Sequence, residues 1–244
     1  MPIPDFVPRD LTALGFDVPP EVLDRLAAYL DLVLDANRTT NLTAIRHREQ
    51  AWSRLIVDSL TPLPGLPPED ETENGVALKL IDLGTGAGLP GVPLAIARPD
   101  LDVTLVESNG KKTAFLNSVI ERLNLTNTVA VQDRVETLGQ SPHFRGRFDV
   151  AVSRAVGPLP VVLEYSLPLL KRGGRVLAMK GPKAEAELRD SGDALALLGG
   201  GDVAVIDAYP ESFDNELVIV SVIKTDPTPK AYPRAPGLPK KQPL

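Results

Sequence analysis

The sequence predicts an α/β fold built on a mostly parallel, seven-stranded sheet, with a helical extension ahead of it. Three observations predict it. From residue 76 onward, short apolar runs of strand length alternate with segments of helix length, as in a sheet covered on both faces. The first of those runs ends in a glycine-rich turn that leads directly into a helix start, Leu80 to Gly91 (LIDLGTGAGLPG). Upstream of residue 76 the apolar residues recur instead at helical spacing, and a proline- and acid-rich stretch closes that region off.

In chain order, residues 19–36 carry Val22, Leu23, Leu26, Leu30, Val33 and Leu34 at three- and four-residue spacing behind Pro19 and Pro20. That is an amphipathic helix whose apolar stripe is core packing. A second helix is expected over 47–60, and Thr61 to Gly75 reads as a linker. Strands are expected near 76–83, 102–107, 128–132, 148–153, 174–180, 203–208 and 217–223, with helices near 90–98, 111–124, 158–171 and 182–198. The last two strands leave little room for a helix between them, which predicts a final antiparallel strand and the Rossmann-like layout of class I methyltransferases. From Thr225 the chain is proline-rich and is expected to be an irregular tail. The organisation is thus 1–75 helical extension and linker, 76–224 ligand-binding α/β domain, and 225–244 basic, proline-rich C-terminal tail.

With 244 residues, 43% of them hydrophobic, the chain suits one α/β domain with a full core and a smaller appendage. The absence of cysteine excludes disulfides, thiolate metal sites and cysteine nucleophiles. With only His47 and His143, both read as surface residues, no metal site is expected. The first residues lack the basic and apolar regions of a secretion signal, and the longest apolar runs are strand-sized. A cytoplasmic monomer without membrane association is expected. The formal charge of -6 excludes a generally basic surface, although the last twenty residues hold four bases, Lys230, Arg234, Lys240 and Lys241, against one acid. Any nucleic acid contact must then be local, at Lys111 and Lys112, residues 171–175, Lys180 and Lys183, or the tail. Each of these, taken alone, also reads as an ordinary solvated lysine.

The glycine turn carries the chemistry. Glycines let a ligand lie against the backbone with no Cβ in the way. Gly86 to Gly91 also matches G-x-G-x-x-G, so a dinucleotide site competes with other nucleosides. Asp82 separates them. A carboxylate beneath the loop would repel a pyrophosphate by roughly 1–4 kcal/mol, depending on the effective dielectric. S-adenosyl-L-methionine brings an ammonium and a sulfonium and no phosphate. Glu107, followed by Ser108, ends the second strand where a carboxylate can take two ribose hydroxyls, and Asp133 to Glu136 follow the third strand where adenine is held. The residues therefore nominate Asp82, Gly84, Gly86, Gly88, Glu107, Ser108 and Glu136 as cofactor-binding. Two other readings stand beside this one: a class I methyltransferase acting on another RNA, a protein or a small molecule, and an NAD-dependent oxidoreductase or non-catalytic nucleotide-binding domain.

Further residues narrow the class: Asn41, Leu42 and Thr43; Asp58, Ser59 and Leu60; Asp82 to Pro93 (DLGTGAGLPGVP); Gly110, Lys111 and Lys112; Phe115 and Leu116; Arg134, Val135 and Glu136; Ser153, Arg154 and Ala155; Lys180 and Gly181; and Tyr232, Pro233, Arg234, Gly237, Pro239 and Lys240. In these the chain resembles the small-subunit ribosomal RNA guanine-N7 methyltransferase family, also called the glucose-inhibited division protein B family, from about Leu32 to Leu244. The resemblance implies methyl transfer to N7 of a guanine, position 527 in the 530 loop of 16S ribosomal RNA, either free or in the small ribosomal subunit. It implies cofactor contacts at Gly84, Leu89, Val135, Glu136 and Arg154. The chain departs from the family pattern at Leu55, where a histidine is usual, and at Asn215 and Glu216, where arginine and histidine are usual.

Guanine N7 carries an in-plane lone pair and no proton, so no general base is needed. Arg154 and Lys180 are therefore assigned to substrate positioning. Asn41, Lys111, Lys112, Lys180, Arg234 and Lys240 are the candidate RNA contacts, with helix capping an equal reading for Asn41. Gly86→Asp places bulk and charge where the ligand would lie, and calorimetry is expected to detect no S-adenosyl-L-methionine binding. Near-normal affinity in that variant would count against the loop assignment.

Overall fold

A computed structural model describes residues 2–68, 76–210, 212–213 and 217–244. The N-terminal part holds α1 (Phe6–Ala13), α2 (Pro20–Ala36), α3 (Arg48–Ala51), a π-helical turn (Trp52–Val57), α4 (Asp58–Leu60) and a 3-10 turn (Leu63–Gly65). The sheet part runs β1 (Leu78–Leu83), α5 (Gly91–Ala97), β2 (Leu101–Glu107), α6 (Gly110–Arg122), β3 (Thr128–Gln132), α7 (Val135–Gln140), β4 (Phe148–Arg154), α8 (Leu159–Ser166), β5 (Leu170–Lys180), α9 (Ala184–Arg189), α10 (Gly192–Leu198), β6 (Gly200–Ile206) and β7 (Val218–Lys224), and the chain closes with α11 (Leu238–Lys241).

The strand order is β3-β2-β1-β4-β5-β7-β6. β1 to β5 pair in parallel, and β7 lies antiparallel between β5 and β6, as the short final connection predicts. One face of the sheet packs on α2, α5 and α6 in a continuous apolar cluster that includes Tyr29, Leu30, Trp52, Leu80, Ile96 and Val103. The N-terminal helices thus share the core of the sheet. The other face packs on α7, α8 and α10, through Ile81, Ala151, Leu163, Val176 and Val220. Helix α8 is buried along its whole length, which is why its sequence shows no amphipathic period.

Several elements differ from the sequence expectation, each for a physical reason. Phe6–Ala13 is an additional helix, with Val7 and Leu11 buried. The helix expected over 47–60 contains a π-helical turn, whose extra residue per turn widens the buried face to take in Trp52, Leu55, Ile56 and Val57. Part of the expected linker is core, since Leu63 and Leu66 are buried, while 69–75 lie outside the described residues. Helix α8 stops at Ser166 because Pro168 has no N–H to donate and restricts the residue before it. The helix expected over 182–198 divides at Ser191 and Gly192, both poor helix formers.

The largest correction concerns the C-terminal twenty residues, which are docked on the sheet domain. Glu164, 0% exposed in an otherwise apolar helix, accepts from the backbone N–H of Arg234 (2.8 Å), from Arg234 Nε (2.9 Å) and, at its second oxygen, from Arg234 Nη2 (2.6 Å). Arg145 donates to the carbonyls of Gly139, Thr228, Pro229 and Tyr232. Pro233 packs so closely on Gly139 that a Cβ there would come within 2.6 Å of it. A buried ion pair broken on one side leaves an uncompensated charge, so Arg234→Ala is expected to cost about 3–5 kcal/mol. Urea denaturation checks this, and a combined Glu164→Leu, Arg234→Met variant should recover most of the loss.

Candidate active site

Because β1 to β5 run parallel, their carboxyl ends share one edge of the sheet, and the strand order reverses between β1 and β4. A crevice at that edge follows from the topology. There β1 ends on the glycine loop. Gly86 lies at φ +61°, in the left-handed region that glycine adopts without strain, and a Cβ built on it would meet nothing within 4 Å. That face of the loop is open. Gly88 differs: its Cβ would come within 2.6 Å of Val92 Cγ2, and Leu89 beside it belongs to the core. Both were expected as cofactor contacts; the space a side chain would need at Gly88, and the Leu89 side chain itself, are taken up by packing.

Asp82 sits under the loop, 0% exposed. Its Oδ2 accepts from Thr85 Oγ1 (2.5 Å) and from the Gly91 N–H (2.8 Å), tying the two ends of the turn together. It therefore acts from beneath and does not line the cleft itself. Its other oxygen, Oδ1, is buried without a hydrogen-bond partner among the described residues. Burial pushes the carboxyl up to about 6, against the hydrogen bonds from Thr85 and Gly91. An orphaned buried carboxylate oxygen below an open glycine face fits a cationic ligand and fits a pyrophosphate badly.

Two clefts lie side by side at this edge. The first, of about 90 Å³, is lined by Gly84, Glu107, Ser108, Val135, Glu136 and Lys240, among others. Glu107 accepts from the Gly86 N–H (3.1 Å) and the Asn109 N–H (2.8 Å), which holds its carboxylate at the lip of the loop. Glu136 accepts from Tyr165 Oη (3.1 Å) and the Gly237 N–H (2.8 Å) on one oxygen, Oε1. The second cleft, of about 300 Å³, is lined by Arg54, Asp58, Arg154, Lys180 and Tyr209 among others. The clefts meet at Ala155 and Val156, which line one each. Ala155 holds φ +56°, a conformation that costs a non-glycine residue about 1 kcal/mol or more.

In the second cleft, Arg154 Nη1 donates to Asp58 Oδ2 (2.6 Å) and to the Arg54 carbonyl (3.0 Å), tying the end of β4 to the N-terminal helices. The half-buried Tyr209 lines this cleft beside Asp58, and burial together with the Asp58 charge pushes its phenol above the usual range. Lys180, 8% exposed, is held by Glu187 (2.8 Å) and the Gly157 carbonyl (2.6 Å). A wider groove of about 760 Å³, lined by Arg9, His47 and Arg54 among others, adjoins this cleft through Arg54.

The structure therefore brings together Gly84, Glu107, Ser108, Val135 and Glu136 in one cleft, and Arg154 and Lys180 in the other. Lys111 and Lys112 begin α6 at the same edge. The three remaining candidate RNA contacts are placed as follows. Arg234 engages the buried Glu164. Lys240 lines the first cleft. Asn41 is exposed on a loop that Asn37, not Asn41, organises through bonds to Leu42, Thr43 and Ile45. Leu55 is 3% exposed in the core, so a polar role there is absent, and Asn215 and Glu216 lie outside the described residues. The sequence reading missed Tyr29, Tyr165 and Tyr209. A tyrosine inside an apolar helix stripe was the one signal for Tyr29, whose Oη donates to the Ala87 carbonyl (2.9 Å) of the glycine loop.

Comparison with known proteins places this geometry. Residues 22–212 match the profile of the GidB family, described as rRNA small subunit methyltransferase G. The ribosomal RNA small subunit methyltransferase G of Moorella thermoacetica is 40% identical over 232 residues, covering 94% of this chain and 93% of that protein. Among solved structures, the CurJ carbon methyltransferase superposes with a TM-score of 0.54 at 11% identity, covering 90% of this chain and 68% of that one. The 16S rRNA (adenine(1408)-N(1))-methyltransferase of Catenulisporales acidiphilia does so with a TM-score of 0.50 at 20% identity, covering 67% and 94%. Both share the class I methyltransferase fold.

The raised Asp82 carboxyl has a consequence for stability. The folded protein holds this proton up to about pH 6, whereas the unfolded chain releases it near the ordinary value of 3.8. Between those values the folded state binds more protons, so the Asp82 contribution to stability falls as pH rises, by on the order of 3 kcal/mol in all. Asp82→Asn keeps an acceptor for Thr85 and Gly91 but does not titrate. Urea denaturation of ligand-free wild type and Asp82→Asn across pH 4–7 should show the two diverging in the variant's favour as pH rises; parallel profiles would refute the burial argument.

Proposed function

The chain belongs to the rRNA small subunit methyltransferase G family, and on that footing we propose that it transfers a methyl group from S-adenosyl-L-methionine to N7 of a guanine in 16S ribosomal RNA. One observation carries the reading: a carboxylate-rimmed nucleoside cleft and an Arg154–Lys180 cleft open side by side at the switch point of the sheet. The residues present fit the cofactor. Glu107 and Glu136 would hold its ribose and adenine, and the unpartnered Oδ1 of Asp82 supplies negative potential beneath its charged end. When bound, S-adenosyl-L-methionine supplies an electrophilic methyl group on a positively charged sulfur.

The protein's own task is positioning. A guanine reached inside folded RNA must leave its stack, and the second cleft is large enough for one base. N7 has no proton to lose, so no residue acts as a base, in keeping with the apolar burial of Leu55. Positive charge builds on the base during transfer, which Asp58 and the carbonyls at this edge favour and a free ammonium would oppose. Lys180 is already paired with Glu187 and bonded to the Gly157 carbonyl, so it shapes the cleft and meets O6 or phosphate without facing N7 as an uncompensated charge. Orientation of this kind contributes on the order of 7–11 kcal/mol at its favourable limit.

RNA enters along a single edge. Arg154 and Lys180 are the last residues of parallel strands, and Lys111 and Lys112 follow shortly after another, which supports a local cationic track on an acidic protein. The reading carries with it a cytoplasmic monomer working on the small subunit or its RNA. No helix of the described residues is long and apolar enough to cross a membrane.

Labelled methyl transfer to free 16S ribosomal RNA and to small subunits, with the site mapped by primer extension and mass spectrometry, tests the proposal; a product methylated elsewhere than guanine N7 would overturn it. Lys180→Ala removes one charge-assisted hydrogen bond, worth about 1.5–3 kcal/mol. Its KM for RNA is expected to rise about tenfold or more, with cofactor affinity held within about twofold. Equal loss of both would show that Lys180 serves the cofactor.

A further inference from the structure

The nucleoside cleft has one wall that the sheet does not supply. Gly84 and Glu107 come from the ends of β1 and β2, Glu136 from the start of α7, and Val156 and Tyr165 from the β4–α8 side. The remaining side is Lys240, on α11, far along the chain from every other residue of the cleft. Lys240 is exposed, and its helix is fastened from several directions. The Gly237 N–H, at the start of α11, donates to Glu136 Oε1 (2.8 Å), and Arg234 is locked to the buried Glu164. Gln140 Nε2 donates to the Pro233 carbonyl (2.7 Å), and Pro239 is buried beside Lys240. The placement of Lys240 is therefore set by bonds to α7 and α8, the helices that themselves border the cleft.

Charge and valence agree with this. Glu107, Asp133 and Glu136 line the cleft, with Arg134 and Lys240 as its cations. Glu136 takes both Tyr165 and Gly237 on Oε1, which leaves Oε2 as the oxygen for a ligand. A lysine ammonium opposite those carboxylates can donate to hydroxyls, ring nitrogens or a ribose oxygen.

We propose that residues 232–244 form the closing wall of the cofactor cleft, and that Lys240 is a cofactor-binding residue donating from its ammonium to the adenosine half of S-adenosyl-L-methionine. The proposal rests on the methyl-donor reading of that cleft and deepens it: a cation that the basic tail offers to RNA when read as sequence serves the nucleoside in the folded protein. The docked segment also supports Glu136 from behind, so C-terminal docking and cofactor binding favour one another.

The test is calorimetric binding of S-adenosyl-L-methionine and S-adenosyl-L-homocysteine to full-length wild type, Lys240→Ala, Lys240→Arg and Lys241→Ala, with melting curves to compare the folds. Both ligands carry the same adenosine, so Lys240→Ala should weaken both by the same factor, about tenfold for one charge-assisted hydrogen bond. Lys240→Arg should stay within about threefold of wild type and the neighbouring Lys241→Ala within about twofold, and KM for RNA at saturating cofactor should not change in Lys240→Ala. Unchanged affinity for both ligands in Lys240→Ala, or a raised RNA KM at saturating cofactor, would overturn the assignment and return Lys240 to the RNA. Failure of wild type to bind either ligand would instead overturn the methyl-donor reading, and this proposal with it.

Discussion

Everything at the carboxyl edge of the sheet depends on one carboxylate oxygen. Asp82 Oδ2 receives the Thr85 hydroxyl and the Gly91 N–H, and so closes the glycine turn at both ends. Without an acceptor at that point two donors would be buried unsatisfied, at about 1–3 kcal/mol each. With it, the turn keeps one shape, Gly86 offers its open face, and the Gly86 N–H reaches Glu107 on the next strand. The second oxygen of the same carboxylate has no hydrogen-bond partner among the described residues. A single buried side chain thus builds the loop and sets the electrostatic character of the space above it.

The elements outside the sheet are attached through the same edge. Tyr29 bonds the loop carbonyl of Ala87, and Asp58 bonds Arg154 at the end of β4, so the N-terminal helices are fixed to the turn and to the second cleft at once. The C-terminal segment makes the matching attachment on the other side through Glu136 and Glu164. The left-handed backbone of Ala155 lies where the clefts meet, and strain at such a place is held only because its surroundings over-determine it.

The sheet was legible in the sequence because its signals are local. Strand-length apolar runs, the glycine turn and the short link before β7 each state their own structure, and the predicted strands lie within a few residues of those observed. The carboxylates at strand ends were legible for the same reason, since parallel strands bring their ends together. Pairings across long separations were not. Arg234 and Lys240 read as tail cations because nothing near them reveals that Glu164 and Glu136 are their neighbours in space. The signal that did exist was Glu164 itself, a lone acid within Leu159 to Leu170, a run otherwise so apolar that the acid needs a buried partner. Gly88 sits in the same motif as Gly86, and a motif does not say at which of its glycines the room for a side chain is already filled.

The ion pair between Glu164 and Arg234 also orders events in time. A growing polypeptide leaves the ribosome with its N-terminal portions first, so helix α8 emerges well before the arginine that neutralises it. Until then, sealing α8 against the sheet encloses an acid without its partner, which is strongly unfavourable for its charged form. Either the acid is enclosed protonated or that half of the molecule gains its full stability only once Arg234 has arrived. A chain broken off after β7 would hold every strand and still carry an unmatched acid at its centre, a built-in mark of incomplete synthesis.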